Sequence, residues 1–497
     1  MKKAVSLSLA LLFGIVSLTG CSAHKSSEIS VRTGKGNREK ERKPSVTEVV
    51  ETDETTEPDI TPLPTETTEV SNDKVINLYI FNDEFRRVAE LYSDLHPDME
   101  YTFNVTMIDT YGGYYDALDS ALKSGSADAP DIYAVESAYI TDFTIDESSE
   151  YAATYEDLGI DLSAIETAKI APYSVEVGTR ASDNKIIALT YQGNGGMMIY
   201  RSSIAKEVFG TDDPEKISEY FGGGTNSWDK FFESAKKLKN KGYAVVSGNE
   251  DIWYPVFGSS EESWIESGKL NISPEREGFI DLSMSLTENG YCNNTKNWYE
   301  EWYYDMGSGT NPSVKLSEGE EHSEVFAFFG PMWLINYILT EYSGDNYGDW
   351  RVTTPPSGFF WGGTWIFASK YVTEASPEKQ AVIADFLYWV TLDSSVNGLQ
   401  YYWANGLSND AGIKDVVVSA AVMEMSECPM EMLGGQNVFE YAIKCNELAK
   451  GNNISSWDDE INQLWKEEVW NHIQNGQSRE ESLQTFKDNV KSYYKIG

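Results

Sequence analysis

Val75-Ile76-Asn77-Leu78-Tyr79-Ile80-Phe81-Asn82-Asp83-Glu84-Phe85 opens the patterned part of this sequence and decides how the rest is read. Its first seven residues are nearly all apolar and predict a buried strand. A helix follows at once: Phe85, Val88, Ala89, Tyr92 and Leu95 share one face at helical spacing, and Pro97 stops the pattern. Tyr101, Phe103 and Val105 then alternate as a second strand. Tyr115, Leu118, Ala121 and Leu122 mark a second helix, and Ile132 to Val135 a third strand. An alternation of strand and helix predicts a mostly parallel sheet covered by helices, with ligands beyond the carboxyl ends of its strands. Asn82-Asp83-Glu84 and Glu136-Ser137-Ala138-Tyr139 lie at those ends.

Downstream, a second alternating region starts at Met197-Met198-Ile199-Tyr200. It runs through helices near 202–209 and 228–240, a strand at Tyr243–Ser247 and the apolar run Val325–Phe329. Gly358, Gly362 and Gly363 lead into Trp365-Ile366-Phe367-Ala368. A long helix opens after Ser376, with Pro377 at its first position and an apolar face of Val382, Ile383, Phe386, Leu387 and Val390. Gly193-Asn194-Gly195-Gly196 reads as a turn, and no 20–50-residue period recurs.

Upstream, residues 22–73 carry no apolar periodicity, first basic and then rich in Thr, Glu and Pro, and are expected to be a disordered tether. Residues 1–21 read as a leader: Lys2 and Lys3, an apolar run from Ala4 to Leu18, and Leu18-Thr19-Gly20-Cys21. The apolar run is shorter than the roughly 20 residues that span a bilayer. The last four residues resemble a bacterial lipobox, which makes Cys21 the expected lipid anchor. Cys292, Cys428 and Cys445 remain, an odd number without zinc-site spacing, read as buried apolar residues; a Cys428–Cys445 bridge stays open.

With 39 Lys and Arg against 79 Asp and Glu, the net charge is −40, which opposes nucleic acid. Four scattered histidines and the lack of HExxH, GxSxG or a Walker sequence leave little for catalysis, metal or cofactor. Two carboxylates suffice for a glycosidase, and 79 acids leave that chemistry open.

All 14 tryptophans lie from Trp228 onward. Sugars present flat C–H faces ringed by hydroxyls, so aromatic platforms combined with acids and amides suit them. Trp253, Trp298, Trp302, Trp333, Trp361 and Trp365 supply rings, and Asp83, Glu84, Glu136 and Gln192 supply polar groups. Core packing is the competing reading for any one of these tryptophans.

From Val75 onward the chain resembles the extracellular sugar-binding proteins of ABC importers, the group typified by maltose-binding protein. The resemblance rests on Asn82-Asp83-Glu84, Pro130-Asp131-Ile132-Tyr133, Gly195 to Arg201, Ser227-Trp228-Asp229-Lys230-Phe231, Phe329-Gly330-Pro331-Met332-Trp333 and Gly362 to Ile366, in that order. It implies a two-lobed α/β fold of the periplasmic-binding-protein type II, each lobe a mostly parallel sheet flanked by helices, joined by a multi-strand hinge. The first lobe would hold 74–190 and 360–405, the second 191–359 and 406–497. Glu136, Tyr139 and Gln192 match ligand-contacting positions of the family. Met332 displaces Trp333 by one from the family's stacking tryptophan, a shift that can turn the ring away.

Taken together, the sequence predicts a monomeric, lipid-anchored extracellular binding protein, not an enzyme. It would pass a carbohydrate to an ABC permease without any cofactor. The expected ligand contacts are Asp83, Glu84, Glu136, Tyr139, Gln192, Trp253, Trp302, Trp333 and Trp361. A surface glycosidase, or a peptide or metal binder on the same fold, is the alternative.

Overall fold

The computed structural model describes residues 74–496; the leader, Cys21 and the expected tether at 22–73 lie outside the described residues. The opening stretch forms the strand Val75–Ile80, with Ile76, Leu78 and Ile80 fully buried. Its one polar interior residue is satisfied: the Asn77 side-chain amide donates to the carbonyls of Ala127 and Ala129 at 3.0 and 3.1 Å. The Asn82 side chain accepts the Glu84 N–H at 3.1 Å and so caps the helix Asp83–Leu95. That helix buries Phe85, Val88, Ala89 and Tyr92, as its periodicity predicts, whereas Leu95, its last residue, is exposed.

Five strands make the first sheet, in the order Thr102–Met107, Val75–Ile80, Ile132–Glu136, Thr364–Ala368 and Ala188–Thr190. The first three pair in parallel, and Thr364–Ala368 runs against both its neighbours. The Pro377–Thr391 helix, capped by Ser376, covers one face: the Phe386 ring meets Phe85, Tyr92 and Phe103 at 5.0 to 6.0 Å.

The second sheet repeats this plan in shorter form. Met197–Arg201 lies antiparallel between Ala327–Gly330 and Trp350–Thr353, while parallel bridges tie Ala244 to Val325 and Val246 to Cys292. One strand in each sheet is reversed, and in each sheet it is the strand that enters just after the chain has crossed over. Met197–Arg201 follows a crossing at 191–196, and Thr364–Ala368 one at 354–363. The expected strand at Tyr243–Ser247 is reduced to those two bridges, although Val245 still bonds on both sides, to Tyr291 and Ala327. Alternate residues face opposite ways. Met198 and Tyr200 join one core of the second lobe, Met197 and Ile199 the other.

The Gly193–Gly196 run is a crossing segment rather than the expected turn. A Cβ on Gly195 would stand 2.5 Å from the Asn446 side chain, and one on Gly196 would stand 2.0 Å from the Phe359 ring. These glycines allow close approach of chains. Cys292, Cys428 and Cys445 are buried free thiols, so the open question of a Cys428–Cys445 bridge is answered against it. Among the described residues no helix is long and apolar enough to cross a membrane.

Candidate functional site

The carboxyl ends of the first sheet carry a continuous polar rim. Glu84 accepts the Tyr191 hydroxyl at 2.6 Å and the Gln192 side-chain amide at 2.8 Å. The Gln192 carbonyl oxygen in turn accepts the Thr364 N–H at 3.0 Å, and Thr364 is the register partner of Glu136. Three expected residues, Glu84, Gln192 and Glu136, are thereby brought onto one edge. Tyr139 stands beside them, stacked on Tyr115 at 3.9 Å, and the Tyr115 hydroxyl accepts the Glu136 N–H.

Burial acts on this rim. It raises the Glu84 carboxyl, against the pull of the Tyr191 hydrogen bond. Glu136 is pushed up to about 8, first by loss of water and then by the negative charge of Asp459. Asp459 belongs to the second lobe and lies in the first turn of the helix Asp458–Asn475. Trp457, in the left-handed region at φ 68°, turns the chain into that helix, and Ser455 donates to Asp458 at 2.7 Å. The helix packs against the Ser137–Tyr139 turn, and Ser456 donates to Asp146 at 2.6 Å, so it touches the first lobe directly. Asp459 is itself raised by burial. Burial, and after it the negative charge of Glu84, likewise push Asp415 up to about 7.

The crossing segment beside the rim, where the Ser137 N–H donates to the Gly363 carbonyl at 2.9 Å, leads into a cluster of rings. Trp361 stacks on Tyr254 at 4.4 Å and meets Trp333 and Trp298 edge to face at 4.7 and 5.6 Å. The Trp361 N–H donates to the Asn194 carbonyl at 3.1 Å, which joins this cluster to the first crossing. Trp298 has φ 72°, a conformation rare for a bulky residue and most often seen at functional sites. The displacement of Trp333 does not remove it from the cluster, because Met332 takes the core position at 1% exposure.

Three expected contacts fall elsewhere. Trp253 and Trp302 are each 1% exposed and serve as core: Trp253 packs on Phe279 at 4.8 Å, and the Trp302 indole donates to Asp251 at 2.9 Å. Neither has a free face for a ligand. Asp83 is held by Arg86 at 2.6 Å and Arg87 at 2.9 Å on its own helix, which keeps its carboxyl below the usual range. Conversely, Tyr254, Asp415 and Asp459 had no sequence signal separating them from other Tyr and Asp residues. Trp298 had one, as a member of the tryptophan-rich region.

Ser247, Asp305 and His322 also meet, but serine and histidine both bond to Asp305, at 2.7 and 2.6 Å. With both held by one carboxylate, the arrangement is not the serine-base-acid relay of a hydrolase. Among the described residues no three His, Cys, Asp or Glu side chains group in a way that could hold a metal ion.

The fold is similar to that of solved binding proteins. A crystal structure described as an extracellular solute-binding protein of family 1 aligns at TM-score 0.65 and 15% identity, over 84% of this chain and 99% of its own. The galacto-N-biose/lacto-N-biose I-binding protein of a Bifidobacterium longum ABC transporter, solved with lacto-N-biose, aligns at 0.56 and 13%, over 85% and 98%. The cyclic α-maltosyl-1,6-maltose binding protein of Arthrobacter globiformis also aligns at 0.56 and 13%, over 84% and 98%. No curated protein matches in sequence. The family model of the bacterial extracellular solute-binding proteins matches residues 80–396. A two-lobed fold with one reversed strand in each sheet, together with a family match over more than half its length, makes this chain a member of the bacterial extracellular solute-binding protein family.

Proposed function

We propose that the protein captures a carbohydrate between its lobes and delivers it to an ABC importer, without chemical change to the sugar. The observation that carries this reading is the polar rim of Glu84, Gln192 and Glu136 joined through the crossing segment at Asn194 and Gly363 to the rings of Trp361, Tyr254 and Trp333. Acids and amides take and give hydrogen bonds with hydroxyls while indole covers C–H faces. Sugar-binding structural neighbours support it. The lobes are 74–190 with 360–405, and 191–359 with 406–497, and closure around the ligand is the signal to the permease. Tyr139 and Trp298 complete the contact set. Cys21 carries the lipid that anchors a monomer outside the cell membrane, with residues 22–73 as spacer.

A thermal-shift screen of sugars, peptides and cations tests this, because a ligand that binds only the folded state raises the melting temperature. The expected result is stabilisation by a sugar that is recovered intact afterwards. Stabilisation by peptides or cations alone, or cleavage of the sugar, contradicts it.

A further inference from the structure

Residues 449–458 join the helices Phe439–Leu448 and Asp458–Asn475, and their contacts divide between the lobes. Ala449 and Ile454 pack with the core of the first sheet. Asn453 and Ser455 bond to the second lobe instead. The Asn453 side-chain amide donates to the Ser260 carbonyl at 3.0 Å, the Arg276 guanidinium donates to the Asn453 carbonyl at 3.0 Å, and the Ser455 hydroxyl accepts the Ile265 N–H at 3.1 Å. Arg276 is fully buried, with the Phe257 and Trp264 rings 4.4 and 4.8 Å from its guanidinium. These bonds make the segment travel with the second lobe.

Two contacts tie it to the first lobe, and they differ in their relation to the crossings. The Gly451 N–H donates to Glu176 at 2.7 Å, and a Cβ on Gly451 would stand 2.3 Å from the Tyr173 carbonyl oxygen. Tyr173 is seated on both crossings: its hydroxyl accepts the Asn194 N–H at 2.8 Å, and its ring stacks on Phe360 at 5.0 Å. Five residues on, the Ser456 hydroxyl donates to the Asp146 carboxylate at 2.6 Å. Asp146 follows the helix Ile140–Thr144, one helix beyond the rim turn whose Ser137 bonds to Gly363, and among the described residues it bonds to neither crossing itself. When lobes rotate about their crossings, contacts at the axis persist and contacts beyond it separate. A hydroxyl bonded to a carboxylate is stronger than a neutral pair and resists that separation.

We propose that 449–458 is a strap between the lobes, with Gly451 against Tyr173 as its pivot and Ser456 on Asp146 as a latch that holds the lobes together and is released when they part. This rests on the clamp part of the reading above and adds the contact that sets its balance between open and closed.

Pulsed dipolar spectroscopy of the full chain tests it without any ligand, with spin labels on the exposed Met107→Cys and Tyr299→Cys, one on each lobe, and with Cys21→Ser. Ser456→Ala and Asp146→Ala, checked for unchanged folding by melting temperature, should each raise the ratio of long to short distances about tenfold, equivalent to roughly 1.4 kcal/mol. Ser456→Thr, which keeps the hydroxyl, should leave that ratio near wild type. A ratio that neither alanine variant changes, or that Ser456→Thr raises as much as Ser456→Ala, overturns the latch and leaves the carbohydrate reading intact. A shift in both alanine variants, with no sugar altering the wild-type distances, supports the latch and contradicts the carbohydrate reading.

Discussion

Trp333 donates its indole N–H to the main-chain carbonyl of Trp361 at 2.9 Å, tying a ring of the second lobe to the segment that crosses back to the first. The same crossing carries Gly362, at φ 83°, where a Cβ would stand 3.1 Å from that indole nitrogen. The ring cluster and the crossing segment are therefore packed together at this point.

Rings in the cluster and rings in the core should respond differently to truncation. Trp361→Ala is expected to weaken sugar binding by about 30-fold, on the order of 2 kcal/mol. Trp253→Ala should instead cost about 3–5 kcal/mol of stability through the cavity it leaves. Calorimetric affinity and denaturant midpoints on both variants separate the two roles.

Gln192 clamps Glu84 to Thr364, and Thr364 lies opposite Glu136. Gln192→Ala should loosen both acids at once, lowering affinity by roughly tenfold, and should also lower the melting temperature, because the buried Thr364 N–H loses its acceptor at a cost of about 1–3 kcal/mol. Titration calorimetry and a thermal melt of the same sample check this.

Acid should stabilise the ligand-free folded protein. Glu136 at about 8 and Asp415 at about 7 hold protons in the folded state that an unfolded carboxyl releases near its model values of 4.5 and 3.8. The folded state thus binds more protons between those limits, and stability falls as pH rises from about 5 to 8. Asp251 and Asp458, both raised to about 7, act in the same sense. The diagnostic is the difference between wild type and Glu136→Gln: the variant's melting temperature should depend less steeply on pH over that range.

Gly196→Ala places a methyl 2.0 Å from the Phe359 ring at the point where the two crossings touch. Overpacking of this kind typically costs about 1–3 kcal/mol. A lowered melting temperature is expected, with weaker sugar binding because the lobes are held at an altered angle.

Local signals explain what was legible in the sequence. The strand at Val75, the helix behind Asn82 and the Pro377 helix follow from apolar spacing and capping, and all three stand within a residue or two of expectation. The grouping of Glu84, Glu136 and Gln192 was legible because each sits at or within a few residues of the carboxyl end of a strand, where a parallel sheet exposes its loops. The rings were harder. Trp253 and Trp361 share residue type and region, and only tertiary packing sends one into the core and the other to the cluster. Asp459 was beyond reach for a similar reason: Asp458, Asp459 and Glu460 share one helical turn, and which of their charges acts on Glu136 depends on how the helix docks against the Ser137–Tyr139 turn.

The central claim is clamp-like closure on a sugar, and the distance between the lobe rims tests it most directly. Met107, at the end of a first-sheet strand, and Tyr299, beside Trp298, are both exposed, while Cys292, Cys428 and Cys445 are buried. Spin labels on Met107→Cys and Tyr299→Cys, with Cys21→Ser, report that distance by pulsed dipolar spectroscopy. Saturating sugar should collapse a broad distribution into one short, narrow peak; a distribution unchanged by a sugar that calorimetry shows to be bound would contradict the account.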